Sequence, residues 1–239
     1  MALTDNLVAY YSLEEASGTR VDATGRGNDL TDNNTVTQAA GKVGNAAQFT
    51  RANSESLSKA DTADVRIGGD IAVSVQAWIY LDTLPSASGS FQIVSKDASG
   101  NRELDWSVST SDDKVYIGMF SGGSASYAAS ASALSTATWY HLVFTYDPAT
   151  NTLSLYTNNG AATTASLGPI DAVGTASLRV GARDFAGFEQ YFNGRIDEVG
   201  IWHRVLTADE RTQLYNGGAG LAYPFTTAVQ SHLLLLGVG

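Results

Sequence analysis

Apolar and polar residues alternate with a period of two along most of this chain, the signature of strands that bury one face. In IAVSVQAWIYLD (71–82), Val73, Val75, Ala77, Ile79 and Leu81 fall on one side. Ala72, Ser74, Gln76, Trp78 and Tyr80 fall on the other. The stretches 91–97, 102–110, 114–121, 139–147, 152–160 and 177–184 read likewise. Short polar turns join them: YDPATNTL links two runs, and SDDK (111–114) and TNNGAA (157–162) carry the same hairpin signal. One segment departs toward a helix. Thr207 with Glu210 three residues later forms a capping box, and Gly217 and Gly218 supply a left-handed stop. Many short strands and one late helix predict an all-β fold, a two-sheet antiparallel jelly-roll sandwich with one short C-terminal helix.

No linker or fixed-period repeat interrupts the pattern, so residues 1–225 read as one domain, a length that sandwiches use as a single unit. Residues 226–239 (TTAVQSHLLLLGVG) follow Pro224 and are strongly apolar for a terminus. Leucines left in water invite aggregation, so this tail is expected to dock, on its own sandwich or on a neighbouring subunit of a homo-oligomer. Its LLLL run is too short to span a bilayer.

Composition narrows the function more than the fold. Twenty-four acidic residues against 14 Lys and Arg give a net charge of −10, with no basic cluster, which argues against nucleic-acid binding. The absence of cysteine excludes disulfides, thiol catalysis and zinc–thiolate sites. The stretch MALTDNLVAYY has neither a basic start nor an apolar run, so no secretory signal is read in it.

Four stretches, in order, resemble the laminin-G-like, concanavalin-A-type jelly-roll family: VAYYSLEEASGTRVDATGRGNDLT (8–31), VSVQAWIYLD (73–82), WYHLVFTYDPATNTLSLYTNNG (139–160) and FNGRIDEVGIWHRVLTADERTQLYNGG (192–218). The closing NGGAGLAYPF also resembles bacteriophage structural proteins of that fold. The resemblance implies a sandwich, frequently a calcium ion, and recognition of glycans or proteins more often than catalysis. It does not transfer a ligand, because fold does not imply function.

Asp197 and Glu198 are the conspicuous carboxylates. By strict alternation over 192–202 they point to opposite faces, so they cannot flank one glycosidic bond, which needs two carboxylates converging across ~5–10 Å. Asp197 in an apolar strand needs a partner. Arg195 on its own face is one candidate and a cation is the other. The loop VDATGRGND (21–29) offers oxygen donors, and Ca²⁺ takes about six to eight of them. In proteins of the resembled family the first loop and the last long strand lie close. The resemblance therefore implies Asp22, Asn28 and Asp197 as ligands of a structural Ca²⁺. His203 is expected to bond to a turn and His141 to be buried and neutral, and no pair of histidines has zinc spacing.

Relatives that cleave β-glucans carry three acidic residues on one strand. Here ELDWSV supplies Glu103 and Asp105 but Ser107 or Val108 at the third place, so no catalytic residue is assigned. Sugar recognition uses exposed aromatic faces bordered by amides and carboxylates. RDFAGFEQYF (183–192) offers Phe185, Phe188, Glu189 and Tyr191, and MFSGGSASYAAS (119–130) offers Phe120 and Tyr127. The expected function is non-catalytic recognition of a glycan, or of a protein surface, on an extracellular or virion surface. A virion assembly protein that uses residues 226–239 as its contact is the alternative, and a glycoside hydrolase or lyase the third.

Overall fold

A computed structural model describes residues 1–87, 89–98, 101–171, 174–183 and 190–225. Among them the chain first forms β1 (Leu7–Tyr11), β2 (Thr31–Asn33), β3 (Thr37–Ala40), β4 (Asn45–Phe49) and β5 (Ser56–Lys59). The long central strands follow: β6 (Val73–Leu81), β7 (Phe91–Ala98), β8 (Asn101–Val108), β9 (Val115–Ser121), β10 (Ser124–Ala129) and β11 (Trp139–Asp147). The rest are β12 (Thr152–Thr157), β13 (Thr163–Ser166), β14 (Leu178–Val180), β15 (Ala182–Arg183), β16 (Gln190–Tyr191), β17 (Gly194–Trp202) and the helix α1 (Ala208–Tyr215).

Two antiparallel sheets face each other. The larger runs β13-β12-β11-β6-β17-β4-β3. In it, β4 pairs with the first half of β17 and β1 with the second. The smaller runs β10-β9-β8-β7-β14-β5-β2, and β15 and β16 form a separate pair. This is the two-sheet jelly roll with one short C-terminal helix that the periodicity predicts. Val73, Val75, Ala77, Ile79 and Leu81 enter the core between the sheets. They meet Leu104, Trp106 and Val108 of β8 and Val115, Ile117 and Met119 of β9. The alternation thus reports real burial, and it leaves the other half of each strand for the two outer faces.

A second layer roofs the outer face of the larger sheet. Tyr10, Val143 and Trp202 project outward and are buried with Leu3, Leu7, Leu206 and Leu214. Leu221, Tyr223 and Phe225 pack against them. The capping box forms as expected, with the Thr207 hydroxyl accepting from Glu210 N and the Glu210 carboxylate accepting from Thr207 N. The left-handed stop is Asn216 rather than a glycine, with φ 48° and ψ 51°, because asparagine tolerates that region.

Two further expectations change. The stretch 177–184 is not one strand: Gly181 breaks it at φ 80° into β14 and β15, and a side chain there would collide with the Phe49 ring. Strict alternation also fails within β17. The register against β6 shifts between Asp197 and Gly200, and Glu198 takes φ 50°. Such a bulge adds a residue to one strand and resets the parity of everything after it. Ile196, Val199 and Ile201 all face the core, so Asp197 and Glu198 lie together on the outer face. The tail 226–239, and with it both docking expectations, lies outside the described residues.

Candidate functional site

The outer face of the smaller sheet holds an open cleft of about 340 Å³. Ser90, Asp105, Ser107, Ser109, Ser111, Tyr116, Tyr127, Arg183 and Gln190 line it. Cross-strand register builds its floor. Asp105 of β8 pairs with Gly118 of β9, which pairs with Tyr127 of β10. A Cβ at position 118 would strike the Tyr127 ring. The missing side chain therefore lets the phenol lie over β9, and its hydroxyl reaches Asp105 Oδ2 at 3.3 Å. Burial and the neighbouring Asp105 push this hydroxyl up to about 12, so it stays a donor. Tyr127 remains 43% exposed, one of the few large apolar side chains in water among the described residues. Tyr116 meets it edge-on with ring centroids 6.3 Å apart.

Asp105 is held from two further sides. Its Oδ1 accepts from Gln92 Nε2 at 3.0 Å, and Arg183 lies 3.7 Å from its Oδ2. Arg183 also bonds Asp97 at 2.6 Å, and Arg102 grips Asp97 with two bonds of 2.8 and 3.0 Å. Glu103 shares the strand face of Asp105 but not its surroundings. It is buried, its carboxylate accepts from Ile67, Gly68 and Gly174 N, and Lys96 lies 3.7 Å away. Among the described residues, Asp105 is thus the single carboxylate in the cleft lining.

The outer face of the larger sheet is polar too, but closed. Tyr10 donates its hydroxyl to Glu198 Oε2 and accepts from Gln76 Nε2 at 3.3 Å. Gln76 Oε1 pairs with His141 Nε2 at 3.0 Å. His141 packs against Trp78 and Tyr215, which also stack on each other, and is pushed down to about 3 by burial, so it is neutral as the sequence suggests. His203 bonds the Arg66 carbonyl, also as read. Burial raises Asp197 to about 7 and Glu198 to about 8. Both lie beneath the roof, 0% and 1% exposed, so no substrate reaches them.

The structure brings Asp22 and Asn28 together but gives Asp197 different neighbours. Asp22 Oδ1 accepts from Tyr10 N, Thr24 N and Thr24 Oγ1, and its Oδ2 accepts from Asn28 N. The Asn28 amide oxygen accepts from Thr62 Oγ1. Asp197 Oδ2 accepts from Lys42 and Val43 N at 2.8 and 3.0 Å, at the β3–β4 turn. Its expected partner Arg195 instead bonds Gln48 and the Ala40 carbonyl and lies over Tyr80. The three residues share no hydrogen-bond partner, and Asp22 already spends its oxygens on N–H and O–H donors, so this set does not fit a calcium ion. Among the described residues no group of three or more His, Asp or Glu could hold a metal.

Of the aromatic candidates, Tyr127 lies in the cleft. Phe120 is fully buried, 4.0 Å beneath the Arg102 guanidinium, and so offers no face to a sugar. Tyr191 is half-buried on β16. Phe185, Phe188 and Glu189 lie outside the described residues. Sequence reasoning named Gln190 beside the aromatics of 183–192 but passed over Tyr116, Arg183 and the serines. The available signal was the outward parity of Asp105 and Ser107 against an apolar inner row.

No helix among the described residues is long and apolar enough to cross a membrane. No curated protein matches the chain. Solved structures do. The binding domain of Paraclostridial Mosquitocidal Protein 1 superposes with a TM-score of 0.72 at 16% identity, over 91% of this chain. The chain spans about half of that one, 53%. Domain 4 of AbnA, an extracellular GH43 arabinanase from Geobacillus stearothermophilus, was solved with arabinotriose. It matches with a TM-score of 0.65 at 22% identity, over 87% of this chain and 97% of its own. The binding domain of botulinum neurotoxin DC, in complex with SialylT, matches at 0.66 and 11% identity over 90% and 52%. At these identities the likeness shows the fold alone, and none of the three supports the bacteriophage resemblance. A family model matches residues 52–210, about two thirds of the chain, and with the sandwich described above it shows that the chain belongs to the concanavalin A-like lectin/glucanases superfamily.

Proposed function

We propose that this protein is a non-catalytic glycan-recognition module that binds through the outer face of its seven-stranded sheet. The observation that carries the reading is the row Asp105–Gly118–Tyr127. It sets an aromatic ring over a glycine and fixes that ring's hydroxyl on a carboxylate. An aromatic face beside a fixed acceptor suits a pyranose or furanose, which has apolar C–H surface and hydroxyl donors. The serines along the cleft add hydroxyls that both donate and accept. Two structural neighbours were solved with glycan-type ligands, which fits the reading. Among the described residues, hydrolysis with two carboxylates has no second group in the cleft lining, because Glu103 is committed to three backbone N–H groups and Lys96.

A glycan array probed with the full chain and with Tyr127→Ala tests this. Binding by the wild type, lost by about tenfold or more in a variant whose circular dichroism is unchanged, is the expected result. Equal binding by the two chains would remove the cleft from consideration.

A further inference from the structure

The glycan reading alone leaves open whether a cleft of this kind takes neutral or acidic sugars. The side chains of this one decide it. We infer that the cleft selects neutral saccharides, with the Asp105 carboxylate as acceptor for ligand hydroxyls, and excludes sugars that carry a carboxylate. This rests on the glycan reading above and deepens it.

Two guanidinium groups beside the cleft first suggest an anion site, but each is already held by carboxylate. Arg102 is bidentate on Asp97 and stacked on Phe120. Arg183 bonds Asp97 at 2.6 Å and neighbours Asp105 at 3.7 Å. Asp97 is 2% exposed, so drawing Arg183 away to an anionic sugar would weaken a buried charge-assisted contact. Asp112 adds a third carboxylate at the rim by accepting from the Tyr116 hydroxyl at 2.9 Å. Among the described residues, three carboxylates (Asp105, Asp97 and Asp112) thus stand against the two guanidinium groups in this network. An incoming carboxylate would meet Asp105 itself. The net charge of −10 adds a weaker repulsion at a distance.

A neutral sugar meets the opposite situation. Asp105 lines the cleft at 6% exposure, and its Oδ2 has one phenol at 3.3 Å and one guanidinium at 3.7 Å, both long contacts that leave acceptor capacity. Sugar hydroxyls would satisfy it with no charge to desolvate on the ligand. The Tyr127 ring supplies the surface for the C–H side, and Ser107, Ser109 and Gln190 supply further partners.

Calorimetric titration of the full chain tests this with a panel of neutral oligosaccharides, including lactose and arabinotriose. Their carboxylated counterparts, sialyllactose and a galacturonic acid trisaccharide, are titrated beside them. The expected result is binding within the neutral set only. Kd should be nearly unchanged between low and high salt, and Asp105→Asn should weaken binding about tenfold or more. Asparagine keeps the shape, so folding is preserved while the charge-assisted acceptor is lost. Tighter binding of the carboxylated sugars, weakened by salt, would overturn the inference and leave the glycan reading standing. So would neutral binding that ignores Asp105→Asn but is lost in Tyr127→Ala. Binding of no sugar in either set, or on the array, would overturn both.

Discussion

On the outer face of the larger sheet, tyrosine, glutamine, histidine and two carboxylates are sealed beneath α1 and residues 221–225. On the outer face of the smaller sheet, tyrosine, serine, aspartate and arginine line a cleft open to water. The residue types are similar, and the difference is the roof. Where the roof closes, each polar group needs a partner inside the protein, and the chain Glu198–Tyr10–Gln76–His141 supplies one. Where none of the described residues forms a roof, Asp105 keeps acceptor capacity and Tyr127 keeps an exposed ring. A polar row on a sheet is therefore structural or functional according to what covers it.

Substitutions on the two faces should separate accordingly. Trp202→Ala removes the centre of the roof and is expected to cost about 3–5 kcal/mol in urea unfolding while sugar affinity stays near the wild-type value. Tyr127→Ala should do the reverse, with stability changing by less than about 1 kcal/mol. If Trp202→Ala abolishes binding in protein that is still folded, the two faces are not independent.

Asp197→Ala leaves the N–H groups of Lys42 and Val43 without their acceptor and should cost about 2–4 kcal/mol. Asp197→Asn keeps an acceptor there and should cost clearly less. Equal losses would mean that the charge, not the hydrogen bonds, matters at this position.

The pH response isolates the buried acids. Burial raises Asp197 to about 7 and Glu198 to about 8, so the folded protein holds protons that the unfolded chain releases near pH 4. The stability this lends is full below about pH 4 and is lost as pH rises through 7 to 8. The urea midpoint of the wild type should therefore fall between pH 5 and pH 9. In Glu198→Gln, which cannot ionise and still accepts from Tyr10, the fall should be smaller. The same fall in both chains would place the titration elsewhere.

Much of this fold is legible in the sequence. The alternation of 71–82 gives the buried and outward rows of β6, and Thr207 with Glu210 marks the start of α1, because both signals are local. The bulge at Glu198 is not legible. One inserted residue reverses the parity of the strand, and nothing in the string RIDEVGIW marks where. That single residue turns two carboxylates apparently facing apart into neighbours under one roof. The cleft is harder still, since residues 90, 105, 107, 109, 111, 116, 127, 183 and 190 meet only through the fold. Tyr127 could be picked out as an aromatic near a Gly-Gly turn. Phe120 could be picked out by the same rule, yet it is buried, because the rule does not say which ring a guanidinium covers.

In the proposed function the cleft face of the smaller sheet binds a glycan. Amide chemical shifts of the full chain, followed during titration with a neutral oligosaccharide, test it most directly. Shifts should cluster at Asp105, Ser107, Tyr116, Tyr127 and Arg183, with Tyr10, Trp78 and Glu198 unmoved. Shifts centred on the roofed face, with the cleft silent, would contradict it.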